Sequence, residues 1–263
     1  MDHYGVRGPI HAWLTNFLTK RTMRVVVEGE ASEEAAVLSG VPQGTVLGPL
    51  MFLCHINDLP ESTKSTVRLF ADDCLLYREI HTSHDHLTLK ADLKQLEIWA
   101  KKWGMRFNAQ KCYILSSRSK SSYLYSLDNV ILQQVQHNPY LGVLLSADLN
   151  WSSHISNICC KAGSTVGFLR RNLRNCPQEC RRLAYITLVR STLEYGATVW
   201  DPYLRRDTER LERVQRQAAR FITRDYKSRS PGCVTDMLRN LAEPPPTGRA
   251  TQAVTPQPPQ QDL

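Results

Sequence analysis

Two adjacent carboxylates inside an apolar stretch constrain this chain more than any other feature. Asp72 and Asp73 lie in the segment LFADDCLLY, residues 69–77, which carries no other charge. Isolated carboxylates beside a core are costly to desolvate, so we predict an acidic hairpin tip between two short buried strands, residues 66–70 and 74–77. Both carboxylates can then project from the turn and hold a divalent metal ion. Because Asp also favours turns for conformational reasons, the pair alone leaves a purely structural role open.

Hydrophobic periodicity and turn residues predict the other elements. Strands are expected at residues 105–107, 111–116, 130–136 and 140–145, with a hairpin within 22–32. Helices are expected over residues 1–20, 47–56, 84–103, 152–173, 178–194 and 207–223. We predict an α+β layer over residues 1–148, an all-α region over 149–240 and a disordered Pro- and Gln-rich tail over 241–263. Trp99 and Trp103 are interpreted as core residues, with base stacking as the alternative.

The excess of positive over negative charge lies entirely in the C-terminal half of the chain. The formal net charge is +8, and residues 149–230 contain 16 Lys and Arg against 7 Asp and Glu. A field of one sign in one region indicates a polyanionic partner, most commonly nucleic acid. The eight cysteines are interpreted as reduced core thiols, and a zinc site beginning at Cys176 and Cys180 is disfavoured because no second ligand pair follows.

Four segments, one of which contains the acidic pair, occur in a fixed order along the chain. They are SGVPQGTVLGPLMFLCHINDLP, VRLFADDCLLY, WAKKWGMRFNAQKCYIL and PYLGVLLS, at residues 39–60, 67–77, 99–115 and 139–146. In this order and spacing they resemble the reverse transcriptase of LINE-type non-LTR retrotransposons, close to the jockey-like group. The resemblance covers roughly residues 4–236.

The resemblance implies a partial right-hand polymerase palm followed by a helical thumb. It implies RNA-templated DNA synthesis with two Mg²⁺ or Mn²⁺ ions, an RNA template, a DNA primer and dNTP. Asp72 would be the stronger metal ligand and Asp73 its partner. Lys111 would stabilise charge near the departing pyrophosphate, with a solvated lysine as the alternative. The remaining implied contacts are with template and nucleotide (Gly40, Pro42, Gln43 and Gly44) and with the primer end, through a hairpin at Tyr140, Leu141 and Gly142, where an ordinary core strand is the alternative.

An arginine stripe carries the basic signal of the predicted thumb. At helical spacing, one face of the helix over residues 207–223, extended by one residue, holds Arg210, Arg213, Arg216, Arg220 and Arg224, and the other face is apolar. We predict that the stripe binds nucleic-acid backbone, with a solvated face as the alternative. Arg170, Arg171 and Arg174 form a second basic cluster.

The family resemblance also predicts what this chain lacks. Relatives place a third catalytic aspartate on a strand ahead of the region where Met1 stands, and Asp2 does not match that strand. We therefore expect the chain as written to lack polymerase activity and to fold marginally. The alternative function is an element remnant that binds RNA or DNA through its Arg-rich thumb. No signal peptide or membrane span is recognisable, so we predict an intracellular protein of the nucleus or cytoplasm; its oligomeric state is left open.

Overall fold

The computed structural model describes residues 2–117 and 123–241. Within these residues the chain forms two compact units. Unit 1 contains residues 2–111 and 123–132, and unit 2 contains residues 112–117 and 133–241. The predicted disordered tail lies, beyond residue 241, outside the described residues. The boundary at residue 148, drawn from composition and charge, stays a prediction.

Helices dominate the second half of the described chain, as predicted. In chain order the α-helices are α1 (Gly8–Leu18), α2 (Leu47–Ile56), α3 (Ser83–Lys102), α4 (Ser152–Asn172), α5 (Gln178–Ala184), α6 (Ser191–Glu194), α7 (Ala197–Trp200), α8 (Arg205–Thr223) and α9 (Cys233–Asn240). A π-helical segment, Tyr185–Arg190, joins α5 to α6, so the helix predicted over residues 178–194 is continuous but locally widened.

The strands are short and pair two by two. They are β1 (Arg21–Met23), β2 (Val26–Val27), β3 (Glu30–Ala31), β4 (Ala35–Val37), β5 (Thr66–Phe70), β6 (Asp73–Tyr77), β7 (Tyr113–Leu115), β8 (Ser126–Leu127), β9 (Val130–Ile131), β10 (Gln133–Val135), β11 (His137–Tyr140) and β12 (Val143–Ser146). The pairs β1–β4, β2–β3, β5–β6, β8–β9 and β11–β12 are antiparallel, whereas β7 and β10 are parallel. This mixture of helix and sheet confirms the α+β class.

The long helix α3 shows how local sequence sets its two ends. At its start, Thr82 and Asp85 form a reciprocal capping box, which satisfies backbone N–H groups that the helix leaves unpaired. At its end, Gly104 takes a left-handed φ of 66°, and the Met105 N–H donates to the Ala100 carbonyl at 2.8 Å. This is a Schellman motif. It turns the chain, and the strand predicted at residues 105–107 is wrong.

Each unit has its own apolar core. In unit 2 the core lies among α4, the π-helical segment and helices α6 to α9, and includes Ile155, Trp200 and Leu211, none of which has measurable exposure. In unit 1 a smaller core contains Val67 of β5 with Leu96 and Trp99 of α3. Trp99 is therefore a core residue as predicted. Trp103 retains 40% exposure, so the prediction that it is buried is wrong.

Candidate metal and nucleic-acid sites

The acidic pair lies at a two-residue hairpin turn, close to where the sequence predicts it. Phe70 of β5 pairs with Asp73, the first residue of β6, which leaves Ala71 and Asp72 as the turn. Ala71 has a positive φ of 50°, an unfavourable conformation for a residue with a Cβ. Both aspartates are exposed. The predicted tip is thus one residue shorter than expected, because Asp73 joins the strand.

Two carboxylates hold the segments next to this hairpin: Asp92, which is buried, and Asp58, which is exposed. The Asp92 carboxylate on α3 accepts the backbone N–H groups of Lys64 and Ser65 at 2.9 and 2.8 Å, which sets the entry into β5. The indole N–H of Trp99 donates to the Asp58 carboxylate at 3.0 Å. Asp58 therefore has a structural partner. The Asp92 contacts support the hairpin that carries the two exposed aspartates. No sequence motif marks Asp92 or Asp58 for these roles.

The Gly40–Gly44 turn is held by residues that sequence reasoning did not single out. Gly40 and Gly44 have positive φ values of 79° and 75°, a conformation that favours glycine, and the predicted contacts of this turn with template and nucleotide stay a prediction. The Arg21 guanidinium donates to the backbone carbonyls of Ser39, at 3.3 Å, and of Gly40. Pro42 and Gln43 lie between the two glycines.

Thr45 and Gly48 join that turn to α2. The Thr45 hydroxyl donates to the Pro42 carbonyl at 2.9 Å and accepts the Gly48 N–H at 3.0 Å. A Cβ on Gly48 would lie 2.5 Å from the Pro42 carbonyl oxygen, closer than real contacts allow. The glycine in VLGP is therefore required by space rather than by backbone angle. Its neighbour Pro49 lies in the first turn of α2, as predicted.

Lys111 is an exposed residue at the end of a short 3-10 helix, Ala109–Lys111. Its backbone N–H donates to the Asn108 carbonyl at 2.9 Å. The strand expected from residue 111 begins two residues later, at Tyr113. The Lys111 side chain thus extends from a helical turn and not from a strand. The predicted role of Lys111 near the departing pyrophosphate stays a prediction.

The predicted primer-contact segment is a tight hairpin, as the resemblance implies, and not the continuous strand that periodicity predicts. Leu141 and Gly142 separate β11 from β12, with φ values of 49° and 81°, and Tyr140 ends β11. The Tyr195 hydroxyl donates to the Leu141 carbonyl at 2.9 Å. A Cβ on Gly142 would lie 2.8 Å from the Tyr195 ring. Gly142 therefore serves the turn and the close approach of Tyr195, which sequence reasoning missed.

The arginines of α8 do not form one free stripe. Arg210 lies 3.4 Å from the buried Asp207 carboxylate, and Arg216 lies 3.2 Å from Glu212. Arg213 is exposed. Arg220 is half-buried and donates to the carbonyls of Asp225 and Ser228 at 2.9 and 3.0 Å. It is a structural residue, contrary to its predicted place on the free face.

Arg224 is not part of the helix, so the predicted extension by one residue is wrong. It follows the end of α8 with a left-handed φ of 61°. This conformation brings it to a cleft of about 770 Å³ that Arg170, Arg171 and Arg174 also line. The structure thus unites Arg224 with the second basic cluster. We call this the arginine cleft.

A buried arginine closes one side of the arginine cleft. Arg181 retains 5% exposure. Its guanidinium donates twice to the Ile222 carbonyl, at 3.0 and 2.7 Å, and once to the Cys176 carbonyl. A cation at the carbonyl end of α8 satisfies a terminal acceptor and complements the helix dipole. The sequence offers no signal that distinguishes Arg181 from its neighbour Arg182.

The cysteines occupy varied environments. All eight are free thiols, and Cys160 and Cys180 are exposed, so the prediction that all are core residues is wrong for these two. Among residues 2–117 and 123–241, no group of three or more His, Cys, Asp or Glu side chains is arranged to hold a metal ion. None of the described helices combines the length and the apolar character that a membrane crossing requires.

Comparison with known proteins identifies the family to which this chain belongs. Residues 2–145 match the family described as reverse transcriptase (RNA-dependent DNA polymerase). The chain belongs to that family. No solved structure gives a significant match to it.

The similar curated proteins are polymerases of mobile elements. The probable RNA-directed DNA polymerase from transposon BS of Drosophila melanogaster is 28% identical over 232 residues, covering 82% of this chain and 26% of that protein. The RNA-directed DNA polymerase from mobile element jockey of the same species is 27% identical over 256 residues, covering 87% and 27%. The chain thus spans about a quarter of the length of these relatives. They confirm the resemblance to non-LTR retrotransposon reverse transcriptases of the jockey-like group.

Proposed function

We propose that this chain is a palm and thumb portion of a retrotransposon polymerase, with the acidic hairpin holding divalent metal and the helical unit holding nucleic acid. The observation that carries the proposal is the exposed Asp72–Asp73 pair at a two-residue turn, in a chain of the reverse transcriptase family. The relatives whose names state RNA-directed DNA polymerase suggest an RNA template, a DNA primer and dNTP as its substrates.

The donor set of the hairpin fits one Mg²⁺ or Mn²⁺ ion. Mg²⁺ usually takes one or two protein carboxylates and completes its shell with water and substrate phosphates. Asp72 and Asp73 supply hard oxygen ligands that are exposed to solvent, so a metal can bind without a large desolvation cost. A metal ion bound there would stabilise negative charge on a transferring phosphoryl group.

The metal proposal is tested by Mn²⁺ binding, followed by electron paramagnetic resonance, in the whole chain. We expect Asp72→Asn to weaken binding more than Asp73→Asn. The matched control is Asp128→Asn, because Asp128 also follows a strand at a hairpin turn of unit 1, with a φ of 49°. Equal Mn²⁺ affinity in the wild type and in Asp72→Asn would overturn the metal role.

Primer extension tests the chemistry itself. Two-metal nucleotidyl transfer requires more carboxylate ligands than one adjacent pair supplies, and the described residues assemble no group of three or more metal-ligating side chains. We therefore expect incorporation of dNTP on an RNA template to stay at background with Mg²⁺ or Mn²⁺. Incorporation that disappears in Asp72→Ala would show that expectation to be wrong and would establish an active polymerase centre.

The second candidate function is nucleic-acid binding without chemistry, and the arginine cleft favours it. Its four exposed arginines, Arg170, Arg171, Arg174 and Arg224, make no ion pair with a described residue. Binding should weaken as salt rises, with a log–log slope near −0.9 for each phosphate neutralised on duplex DNA. A protein that shows no retention on RNA or DNA at low salt would exclude this function.

A further inference from the structure

The arginine cleft differs chemically from the open face of α8. On α8 the carboxylates of Asp207, Glu209 and Glu212 already partner nearby arginines. The described residues that line the arginine cleft include five arginines and no acidic side chain. An uncompensated group of cations in a concave site attracts a polyanion more strongly than an ion-paired helix face does.

An aromatic side chain stands at the edge of the same cleft. Tyr226 is 42% exposed and lines both the arginine cleft and an adjoining cavity of about 330 Å³. Arg170 is also common to the two cavities. They therefore form a groove that runs beside α4 and α8, with Tyr226 at the point where they meet.

Tyr226 is presented by a loop that is rigidly held. Arg220 donates to the carbonyls of Asp225 and Ser228, on either side of Tyr226. The Asp225 carboxylate accepts the backbone N–H groups of Lys227 and Ser228 at 3.1 and 2.9 Å. These bonds fix the backbone on both sides of the ring, so stacking on it costs little additional ordering.

The floor of the adjoining cavity is formed in part by glycine. Gly163 lies in α4, and a Cβ built on it meets no atom within 4 Å. The space above Gly163 is therefore open groove rather than packed protein. A larger side chain at this position would leave the backbone through this open side, project into the groove and leave the charge of the groove unchanged.

We propose that this groove binds a single-stranded segment of RNA or DNA, with phosphates at the exposed arginines and a base stacked on Tyr226. The inference rests on the proposed nucleic-acid function and specifies its ligand. A positively charged groove with an aromatic platform is the arrangement that single-strand binding requires. Bases in a duplex are already stacked on their neighbours, so they are not free to stack on the exposed Tyr226 ring.

The test compares two probes bound by the whole chain, using fluorescence anisotropy at low salt. The single strand is a short fluorescein-labelled oligouridylate, and the duplex is a labelled blunt RNA–DNA hybrid of equal length. Tyr226→Ala is expected to weaken binding of the single strand by about 5- to 100-fold. Tyr226→Phe, which keeps the ring, should bind as the wild type does.

Gly163→Leu supplies a second variant that leaves every proposed contact in place. It should weaken single-strand binding as much as Tyr226→Ala does, because leucine occupies the groove. Its matched control is Ser164→Leu on the neighbouring exposed position of α4, which should have no effect. Leucine is a better helix former than either residue, and circular dichroism verifies that the helices are intact.

The salt dependence distinguishes the cleft from α8. Replacing Arg170, Arg171, Arg174 and Arg224 with Gln should flatten the log–log salt slope for the single strand by about 0.7 for each phosphate that the variant no longer neutralises. Unchanged single-strand affinity in both Tyr226→Ala and Gly163→Leu overturns the inference. If duplex binding then still depends on Arg210, Arg213 and Arg216, the proposed nucleic-acid function stands; if neither probe binds, that function fails as well.

Discussion

The two compact units differ in how completely they bury their apolar side chains. Among the described residues, the core of unit 2 contains 18 buried residues and that of unit 1 contains six. Unit 1 also leaves large apolar side chains exposed along its first two helices and first strands, including Ile10, Trp13, Val26, Leu38 and Leu50. The acidic hairpin thus belongs to the lightly packed unit and the arginine cleft to the heavily packed one.

This difference separates the two proposed roles by stability. The residues proposed to hold nucleic acid in unit 2 stand on a well-packed frame, where local opening is costly. The residues proposed to hold metal in unit 1 stand on a hairpin that is supported by one small core and by the hydrogen bonds of Asp92. We therefore expect unit 1 to unfold before unit 2, which hydrogen exchange resolves peptide by peptide.

The largest expected loss of unfolding free energy follows truncation of a side chain in the core of unit 2. Trp200 has no exposed surface, and its indole N–H donates to the Tyr195 carbonyl at 2.8 Å. Trp200→Ala should lower the free energy of unfolding of unit 2 by about 3–5 kcal/mol, measured by urea denaturation followed by circular dichroism. Val199→Ala is the control, since Val199 is 58% exposed. A loss no greater than that of the control would mean that unit 2 is not the better-packed unit.

A smaller effect is expected for the core of unit 1. Leu96 of α3 is 3% exposed, and Leu96→Ala should cost about 2–3 kcal/mol, the low end of the range, because a small core relaxes into the cavity more readily. Hydrogen exchange should increase in α3 and β5 while amides of unit 2 keep their protection. Ile98→Ala, at an exposed position of the same helix, is the control. Exchange that rises equally in both units would contradict the independence of their cores.

Acid should act on unit 1 through the cap of α3. Hydrogen bonds from Thr82 and His81, with Arg78 alongside, hold the pKa of the Asp85 carboxyl well below its usual range. Because the folded pKa is depressed, this contribution is present above pH ~4, the pKa of an unfolded aspartate, and is lost as pH falls below it. Asp85→Asn should remove that pH dependence from exchange at the start of α3. An unaltered acid profile in the variant would exclude Asp85 as its source.

The smallest expected effect is the pH dependence that His154 gives to the unfolding free energy of unit 2. It begins at a higher pH than the effect of Asp85. Burial, with Lys161 nearby, lowers the pKa of His154, whose Nδ1 accepts the Leu144 N–H at 3.1 Å. Since the unfolded chain protonates first, stability should decline as pH falls below ~6.5. His154→Gln keeps an acceptor but does not titrate, so its unfolding free energy should be flat through this window. A wild-type curve that is equally flat would argue against a buried neutral histidine.

Local signals account for the parts of the fold that the sequence predicts well. The apolar run interrupted by Asp72 predicts the β5–β6 hairpin, and α2 and α3 begin and end within one or two residues of their predicted bounds. Capping residues, glycines at positive φ and helical periodicity act within a few residues, so they are readable in sequence. The prediction of a single strand over residues 140–145 was wrong because the hairpin turn lies at Leu141–Gly142, where only the glycine is a turn-favouring residue.

The contacts that were missed join a residue of one element to a loop or element outside it. Arg213 and Arg220 look equivalent on a helical projection, but only Arg220 meets the carbonyls of the loop after α8. Tyr195 reaches the Leu141 carbonyl across 54 residues. Such partners depend on how helices pack, and periodicity describes only which face is apolar. The arginine cleft could be predicted as two basic clusters, but not as one cavity.

The two hydrogen bonds from Arg181 to the Ile222 carbonyl join residues 41 positions apart, and this separation affects folding rates. A contact with such a long intervening loop forms after α5 and α8 have docked, because loop closure must come first. Arg181→Met should therefore accelerate unfolding and leave the folding rate nearly unchanged, which stopped-flow kinetics measure. The Arg181 guanidinium at the C-terminal end of α8 would then set the unfolding rate, and so the lifetime, of the arginine cleft. It would have little effect on the rate at which the cleft folds.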